Sequence, residues 1–257
     1  MMSVSGLDDH EAADVAAEFG VALEQVRRDH LISVILSALS AHAEELVFFG
    51  GTALARSYLP HGRLSEDIDL IAMGDRPDIA VRLVRTIGRV LRRTHGKVTW
   101  SAPLADVRDT APVILSTDDA INVRVQLLNA QGYPPWPTAL TDLHQRYSDA
   151  LSARLRVPTR DSFAAWKTVA WTDRGAPRDL YDMWALANIR ALTASAAELF
   201  AQLGPTLAPP KQWMFSTAPG ETEWRDQLAG QTRLTVGSGE ALDVVRAAWS
   251  DAVGARF

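Results

Sequence analysis

The sequence predicts an α/β chain (α+β) in two lobes: N-terminal helices and a mixed-sheet lobe over residues 1–137, then a mostly helical lobe over residues 138–257. Three observations carry this. Short runs at Leu46–Phe49, Asp67–Ile71 and Ile121–Leu128 have the length and period of strands, and helical patterns separate them. The stretch Gly132-Tyr-Pro-Pro-Trp-Pro137 is stiff and non-helical, the strongest break in the chain. Beyond it the apolar residues recur at helical spacing.

In chain order, Leu7–Glu18 and Val21–Glu45 read as packing helices split by Gly20, the second with an apolar stripe of Val26, Leu31, Val34, Ile35, Leu39 and Ala43. Leu46–Phe49 reads as a buried strand. Gly50-Gly51 then permits a sharp turn and a close backbone approach to a ligand. Thr52 to Tyr58 reads as a helix, so its first-turn amides point back at the glycines, a geometry suited to phosphate. In the strand Asp67-Ile68-Asp69-Leu70-Ile71, residues two apart share a face, which sets Asp67 beside Asp69. Two adjacent carboxylates repel, and a cation between them relieves that cost.

Pro77 starts a helix that runs to about Arg93, buried along Ile79, Leu83, Ile87 and Leu91. Arg82, Arg85, Arg89 and Arg92 line another side of it. No acidic residue falls between Asp78 and Asp106, while these four arginines, Arg93 and Lys97 all do. That stripe reads either as a solvated face or as an RNA-binding track. Lys97–Pro103, Val113–Ser116 and Ile121–Leu128 read as strands, the last presenting Arg124 and Gln126 on its polar face.

In the second lobe Asp161 is expected to cap a helix that turns Phe163, Trp166, Ala170 and Trp171 inward. Gly175-Ala-Pro177 ends it and opens another. The resulting hairpin would bring Lys167 near Asp182, as a functional pair or as a structural tie. Residues 192–203 and 239–254 read as helices around a proline-rich loop, with Trp213, Phe215, Trp224 and Trp249 as core.

Composition narrows the function. The absence of cysteine excludes disulfides and thiolate metal sites. No apolar run of about 18 residues is present to span a bilayer, and Met1–His10 lacks an apolar signal segment, so a cytoplasmic location with no membrane partner is expected. A net charge of −5 argues against binding nucleic acid over the whole surface. Arginine so outnumbers lysine that Lys97, Lys167 and Lys211 stand out.

A strand, a glycine pair, a helix and then paired strand carboxylates together resemble the polymerase-β-type nucleotidyltransferase signature. The fuller pattern, from Gly50-Gly51-Thr52 through Arg56 to Ser65-Glu66-Asp67-Ile68-Asp69, is similar to the AbiEii branch of that superfamily, the nucleotidyltransferase toxins of toxin–antitoxin systems. Lys167, Asp173-Arg174, Arg178-Asp179 and Asp182 extend the resemblance to a second block. It implies a polymerase-β-type lobe and transfer of an NMP from an NTP to an acceptor hydroxyl, with the site in a cleft between the lobes. Asp67 and Asp69 would hold Mg²⁺ or Mn²⁺, and Gly50, Gly51 and Thr52 would cradle phosphates with their amides and the Thr52 hydroxyl, with Arg56 and Ser65 beside them. Lys167 would contact phosphate, and Asp182 would orient it or assist the metal. A cognate antitoxin and, in some members, tRNA as acceptor are further implications. Members of the superfamily carry a third carboxylate on a later strand, where this chain offers Arg124 and Gln126. Two alternatives stay open: adenylylation of a small molecule such as an antibiotic, and a catalytically inactive nucleotide-binding or partner-binding protein.

Overall fold

A computed structural model describes residues 6–254, so the first half of the Met1–His10 stretch lies outside the described residues. The chain forms two compact units, Met1–Tyr133 with Thr138–Val157, and Pro134–Pro137 with Pro158–Phe257. The rigid Pro134–Pro137 segment belongs to the second unit, and the chain then returns to the first for two strands.

Among the described residues the first unit is a seven-stranded mixed sheet with four α-helices. Helix α1, Asp9–Phe19, is capped by Asp8 and closed by Gly20 in the left-handed conformation. Helix α2, Leu23–Leu39, ends in a 3-10 turn over Ser40–His42, short of the Glu45 expected. It is buried on almost every side, which its apolar stripe alone understated. Strand β1 (Leu46–Phe49) passes straight into α3 (Gly50–Ser57), which starts two residues earlier than predicted. Strand β2 is Asp67–Ala72. Helix α4, Arg76–Thr94, has Asp75 as its cap and proline in its first turn. Its apolar stripe, Ile79, Leu83, Ile87 and Leu91, is buried as expected.

Strands β3 (Val98–Trp100), β4 (Val113–Thr117) and β5 (Asn122–Asn129) follow. Two further strands, β6 (Thr138–Leu143) and β7 (Ala153–Pro158), complete the order β3-β4-β5-β2-β1-β7-β6. Strands β1 and β2 are antiparallel, while β2 runs parallel to β5 and β1 parallel to β7. Ile68, Leu70, Val125 and Leu127 are buried on one face of the central strands. Asp67, Asp69, Arg124 and Gln126 fall on the other.

The second unit is helical. Helix α5 is Arg160–Arg174, capped by Thr159, whose hydroxyl accepts from the Ser162 amide. Asp161, expected as the cap, accepts instead from the Thr193 hydroxyl at the start of α7. Helices α6 (Pro177–Asn188), α7 (Ala194–Leu203), α8 (Glu221–Leu228) and α9 (Ser238–Val253) follow. Helix α5 packs on α6 and α7, and α6 on α8 and α9. Phe215, Trp224 and Trp249 fill this core as expected. Trp213 does not: it is 58% exposed, because the 3-10 turn Gln212–Phe215 points Met214 and Phe215 inward and leaves Trp213 on the outside.

Candidate active site

The antiparallel register of β1 on β2 pairs Phe49 with Asp69, so the residue after the strand, Gly50, arrives beside the Asp69 carboxylate. Gly50 has a φ of +79°, which favours glycine, and a Cβ there would overlap the Asp69 side chain. A Cβ on Gly51 would overlap the Arg63 guanidinium and stand 3.0 Å from Ser65 Oγ. The bare glycines therefore make room first for the chain's own Asp69, Arg63 and Ser65. This locks the turn to the acidic strand.

Helix α3 starts at the glycines with no side chain capping it. Its first-turn amides are of the kind that α-helical bonding leaves over. Thr52 is buried, and its hydroxyl donates to the Asp67 carbonyl. The phosphate contact predicted for that hydroxyl is thus replaced by a tie between α3 and β2. Ser65 is buried with its oxygen toward Gly51.

Arg56, predicted beside the phosphates, lies elsewhere. Its guanidinium is fully buried, 2.8 Å from Asp29, and donates to the carbonyls of Asp29 and His144. Burial lowers its pKa to about 10 despite the opposing charge of Asp29. It is the seventh residue of α3 and faces the interior, where it ties α3 to α2.

Asp67 and Asp69 occupy successive positions on one face of β2. Asp67 is half-buried, with Arg124 Nε 3.9 Å from its Oδ1. In the parallel register Arg124 pairs with Asp67 and Gln126 with Asp69. Gln126 donates its amide to the Thr110 and Asp109 carbonyls at 2.8 and 3.4 Å. Among the described residues no three His, Cys, Asp or Glu side chains group closely enough to hold a metal ion. Two hard carboxylate donors side by side do fit Mg²⁺ or Mn²⁺, since Mg²⁺ bound with a nucleotide commonly takes one or two carboxylates and completes its shell with phosphate oxygens and water.

In the second unit the predicted hairpin of α5 and α6 forms around Gly175, whose left-handed conformation ends α5. Lys167 Nζ stands 2.7 Å from Asp182 and 3.3 Å from Asp179. Asp179 also accepts from Arg174 Nε and Nη2 at 2.6 and 2.9 Å. Burial pushes the Asp179 carboxyl up, but Lys167 and Arg174 outweigh it and hold the pKa below the usual carboxylate value. The Asp179 hydrogen bond holds Arg174 above the usual guanidinium value. Lys167 is 8% exposed. Its ammonium has three hydrogens, and the two carboxylates account for two of them.

On α4, Arg82 donates to Glu45 at 3.0 Å. Arg85, Arg89 and Arg92 are exposed and make no ion pair with any described residue.

Sequence reasoning passed over Arg63 and gave Asp179 no role beyond its place in the second block. Arg63 is four residues before Asp67, a cation next to an acidic strand in a loop of no regular pattern. Asp179 stands three residues before Asp182 at helical spacing, where the side chains of both can reach one lysine.

Two comparisons with known proteins bear on this geometry. A family model described as "Nucleotidyl transferase AbiEii toxin, Type IV TA system" matches residues 34–251. No curated protein matches the sequence. Among solved structures, the chain is similar to MenT4, a nucleotidyltransferase toxin from Mycobacterium tuberculosis, with a TM-score of 0.65 at 20% identity over 96% of this chain and 90% of that one. That likeness is one of fold.

Proposed function

The chain belongs to the AbiEii family of nucleotidyltransferase toxins of type IV toxin–antitoxin systems, and we propose that it moves an NMP from an NTP to a hydroxyl on RNA, at the 3′ end of tRNA. The observation that carries the reading is the Asp67–Asp69 pair on one face of β2, locked to the glycine turn by the Asp69–Gly50 approach. In the reaction a new bond forms between the acceptor oxygen and the α-phosphorus. The hydroxyl proton leaves, and the bond to pyrophosphate breaks.

Asp67 and Asp69 hold Mg²⁺ or Mn²⁺, which when bound neutralises triphosphate charge and favours the attacking oxygen. The amides of Gly50, Gly51 and Thr52 cradle phosphate oxygens at the start of α3, with Ser65 and the buried Arg63 beside Gly51. Lys167, oriented by Asp182 and Asp179, offsets charge that develops on the leaving phosphates. The RNA acceptor is supported by Arg85, Arg89 and Arg92, exposed cations that make no ion pair with any described residue, in a molecule of net charge −5. Arg82 is a lesser contributor because Glu45 already takes it. The family implies an antitoxin as cognate partner. Among the described residues no helix is long and apolar enough to cross a membrane.

The test is direct. The protein is incubated with each labelled NTP, Mg²⁺ and total cellular RNA, alongside Asp69→Asn. Label is expected on RNA of tRNA size with the parent and on nothing with the variant. Label that appears only on small molecules overturns the acceptor. Full activity in both Asp69→Asn and Asp67→Asn overturns the site.

A further inference from the structure

We infer that Arg63 is a nucleotide-holding residue: it keeps a permanent positive charge at the start of α3, and the second glycine of the turn is bare to make room for it. The inference rests on the nucleotidyl-transfer reading above and deepens it. The phosphate cradle at Gly50-Gly51-Thr52 has an electrostatic problem. It adjoins a carboxylate, since a Cβ on Gly50 would overlap Asp69 Oδ2. Asp67 lies two residues away on the same face of β2. A triphosphate that enters such a site is repelled by both acids. The free amides at the start of a helix oppose this with only roughly half an elementary charge. A further cation on the same side is needed.

Arg63 stands where that cation is wanted. It lies in the loop that leads into β2, four residues before Asp67. A Cβ on Gly51 would overlap Arg63 Nη2 and stand 3.3 Å from its Cζ. Gly51 is the second residue of α3, and the Cα–Cβ bonds of a helix tilt toward its N-terminus. The guanidinium therefore lies toward the amide end of α3 rather than along its flank. Arg63 is 4% exposed, so the fold fixes it in place, unlike a surface arginine. It stays charged at any working pH, and five donors in a rigid fork can hold groups of the chain and face an anion together. The two glycines then have different causes. Gly50 answers to its φ of +79°. Gly51 has no positive φ, so what keeps it bare is the space that Arg63 and Ser65 fill.

Nucleotide binding tells this role from a purely structural one. The full-length protein is titrated by calorimetry with a non-hydrolysable analogue of each NTP in Mg²⁺, and nucleotide and acceptor KM are measured alongside. Arg63→Ala is expected to weaken nucleotide binding on the order of 10- to 100-fold, the scale of a hydrogen bond to a charged group, with the acceptor KM unchanged. Arg63→Lys keeps the charge and is expected to bind nucleotide close to the parent. Gly51→Ala displaces the guanidinium, so it should weaken binding in the parent yet add little to Arg63→Ala, whose vacated space accepts the methyl group. Equal losses from Gly51→Ala in both backgrounds, the additive result expected of independent sites, would mean that the glycine is bare for phosphate itself, and the inference fails. It fails equally if Arg63→Lys binds as poorly as Arg63→Ala, or if Arg63→Ala binds like the parent. Should Arg63→Ala not fold, Arg63→Lys and Gly51→Ala decide: parental affinity in a folded Gly51→Ala overturns the role. Each of these failures leaves nucleotidyl transfer by the parent standing. A parent that binds no nucleotide overturns the proposed function as well.

Discussion

Each unit buries a charged cluster, and the two differ in what they leave unspent. In the first, Asp29 meets Arg56 at 2.8 Å and Arg146 at 3.6 Å, with side-chain exposures of 2%, 0% and 4%. The Tyr147 hydroxyl stands 3.0 Å from the same carboxylate, and burial beside that charge lifts its pKa above the usual phenol range. Arg56 Nη1 and Nη2 also donate to the His144 and Asp29 backbone carbonyls, while its buried Nε has no hydrogen-bond partner among the described residues. Two cations share one anion, and every group is sealed inside. In the second, two cations meet two anions, and Arg174 is 59% exposed at the edge. Its central cation is a lysine with a hydrogen to spare. A sealed, anion-poor cluster can only hold elements together, whereas a balanced cluster with an open edge can take a phosphate as well. Arg56 and Lys167 both look from the sequence like lone cations in apolar company. Their neighbours across the fold give them opposite surroundings.

The sharpest way to break this contrast is Asp29→Asn. It removes the carboxylate that Arg56 and Arg146 share while keeping shape. Removing one partner of a buried ion pair costs about 3–5 kcal/mol, and that loss is expected in urea unfolding, with transfer per folded molecule unchanged. A loss below about 1 kcal/mol, the range of exposed pairs, would mean that the cluster is hydrated and the contrast false.

Lys167→Ala asks the opposite question. Loss of one preorganised charge donor costs on the order of 100-fold in rate, and the expected drop in stability is smaller than for Asp29→Asn, because Asp179 keeps Arg174. Near-normal turnover with a large loss of stability would make Lys167 a structural tie like Arg56.

A pH series sharpens the second cluster further. Asp179 has a folded pKa below its ordinary 3.8, so the unfolded chain binds its proton more tightly. Its contribution to stability is complete above the ordinary value and is lost as the pH falls through that value toward the folded one. Urea midpoints of the parent and Asp179→Asn should differ most near neutrality and converge as the pH drops below 3.8. A constant gap across that range would show that the carboxylate's charge contributes nothing.

The parts legible in the sequence were those with a local cause. The strand–glycine–helix turn, the Asp67–Asp69 face, the stripe of α4 and the hairpin that joins Lys167 to Asp182 follow from period, caps and turn residues within a short window. Strand β6 was missed because its alternation is weak. Strand β7 alternates Ala153, Leu155 and Val157 against Arg154 and Arg156, but was passed over because the proline break before it reads as the end of the sheet; its partner β1 is far off in the chain. The misassigned hydroxyl of Thr52 and the guanidinium of Arg56 share one cause. Both residues sit on the helix expected to face phosphate, but which side of a short helix turns inward depends on packing against α2 and β2, which no local pattern encodes. Trp213 went wrong for a related reason: a 3-10 turn rotates about 120° per residue, so one large aromatic among three neighbours must point away from the core.

The smallest effect expected separates arginines on one helix. Arg85, Arg89 and Arg92 make no ion pair with any described residue, whereas Arg82 is held by Glu45 at 3.0 Å. A free surface cation can neutralise a phosphate and release its counterions, which gives each contact a slope of about 0.7 in log affinity against log salt for single-stranded acceptors. An arginine already paired must first give up its carboxylate, and an exposed pair is worth only about 0–1 kcal/mol, so the penalty is small but it lowers the gain. Replacing Arg85, Arg89 and Arg92 together by glutamine should therefore raise the acceptor KM, flatten its salt dependence by roughly 2 units of slope and leave the nucleotide KM unchanged. Arg82→Gln alone should change the slope by less than any one of the three. If the triple variant modifies RNA as well as the parent at every salt concentration, the stripe is a solvated face and the acceptor is held elsewhere. If Arg82→Gln matters most, Glu45 is a gate that the acceptor displaces, and the paired arginine rather than the free ones guides the RNA.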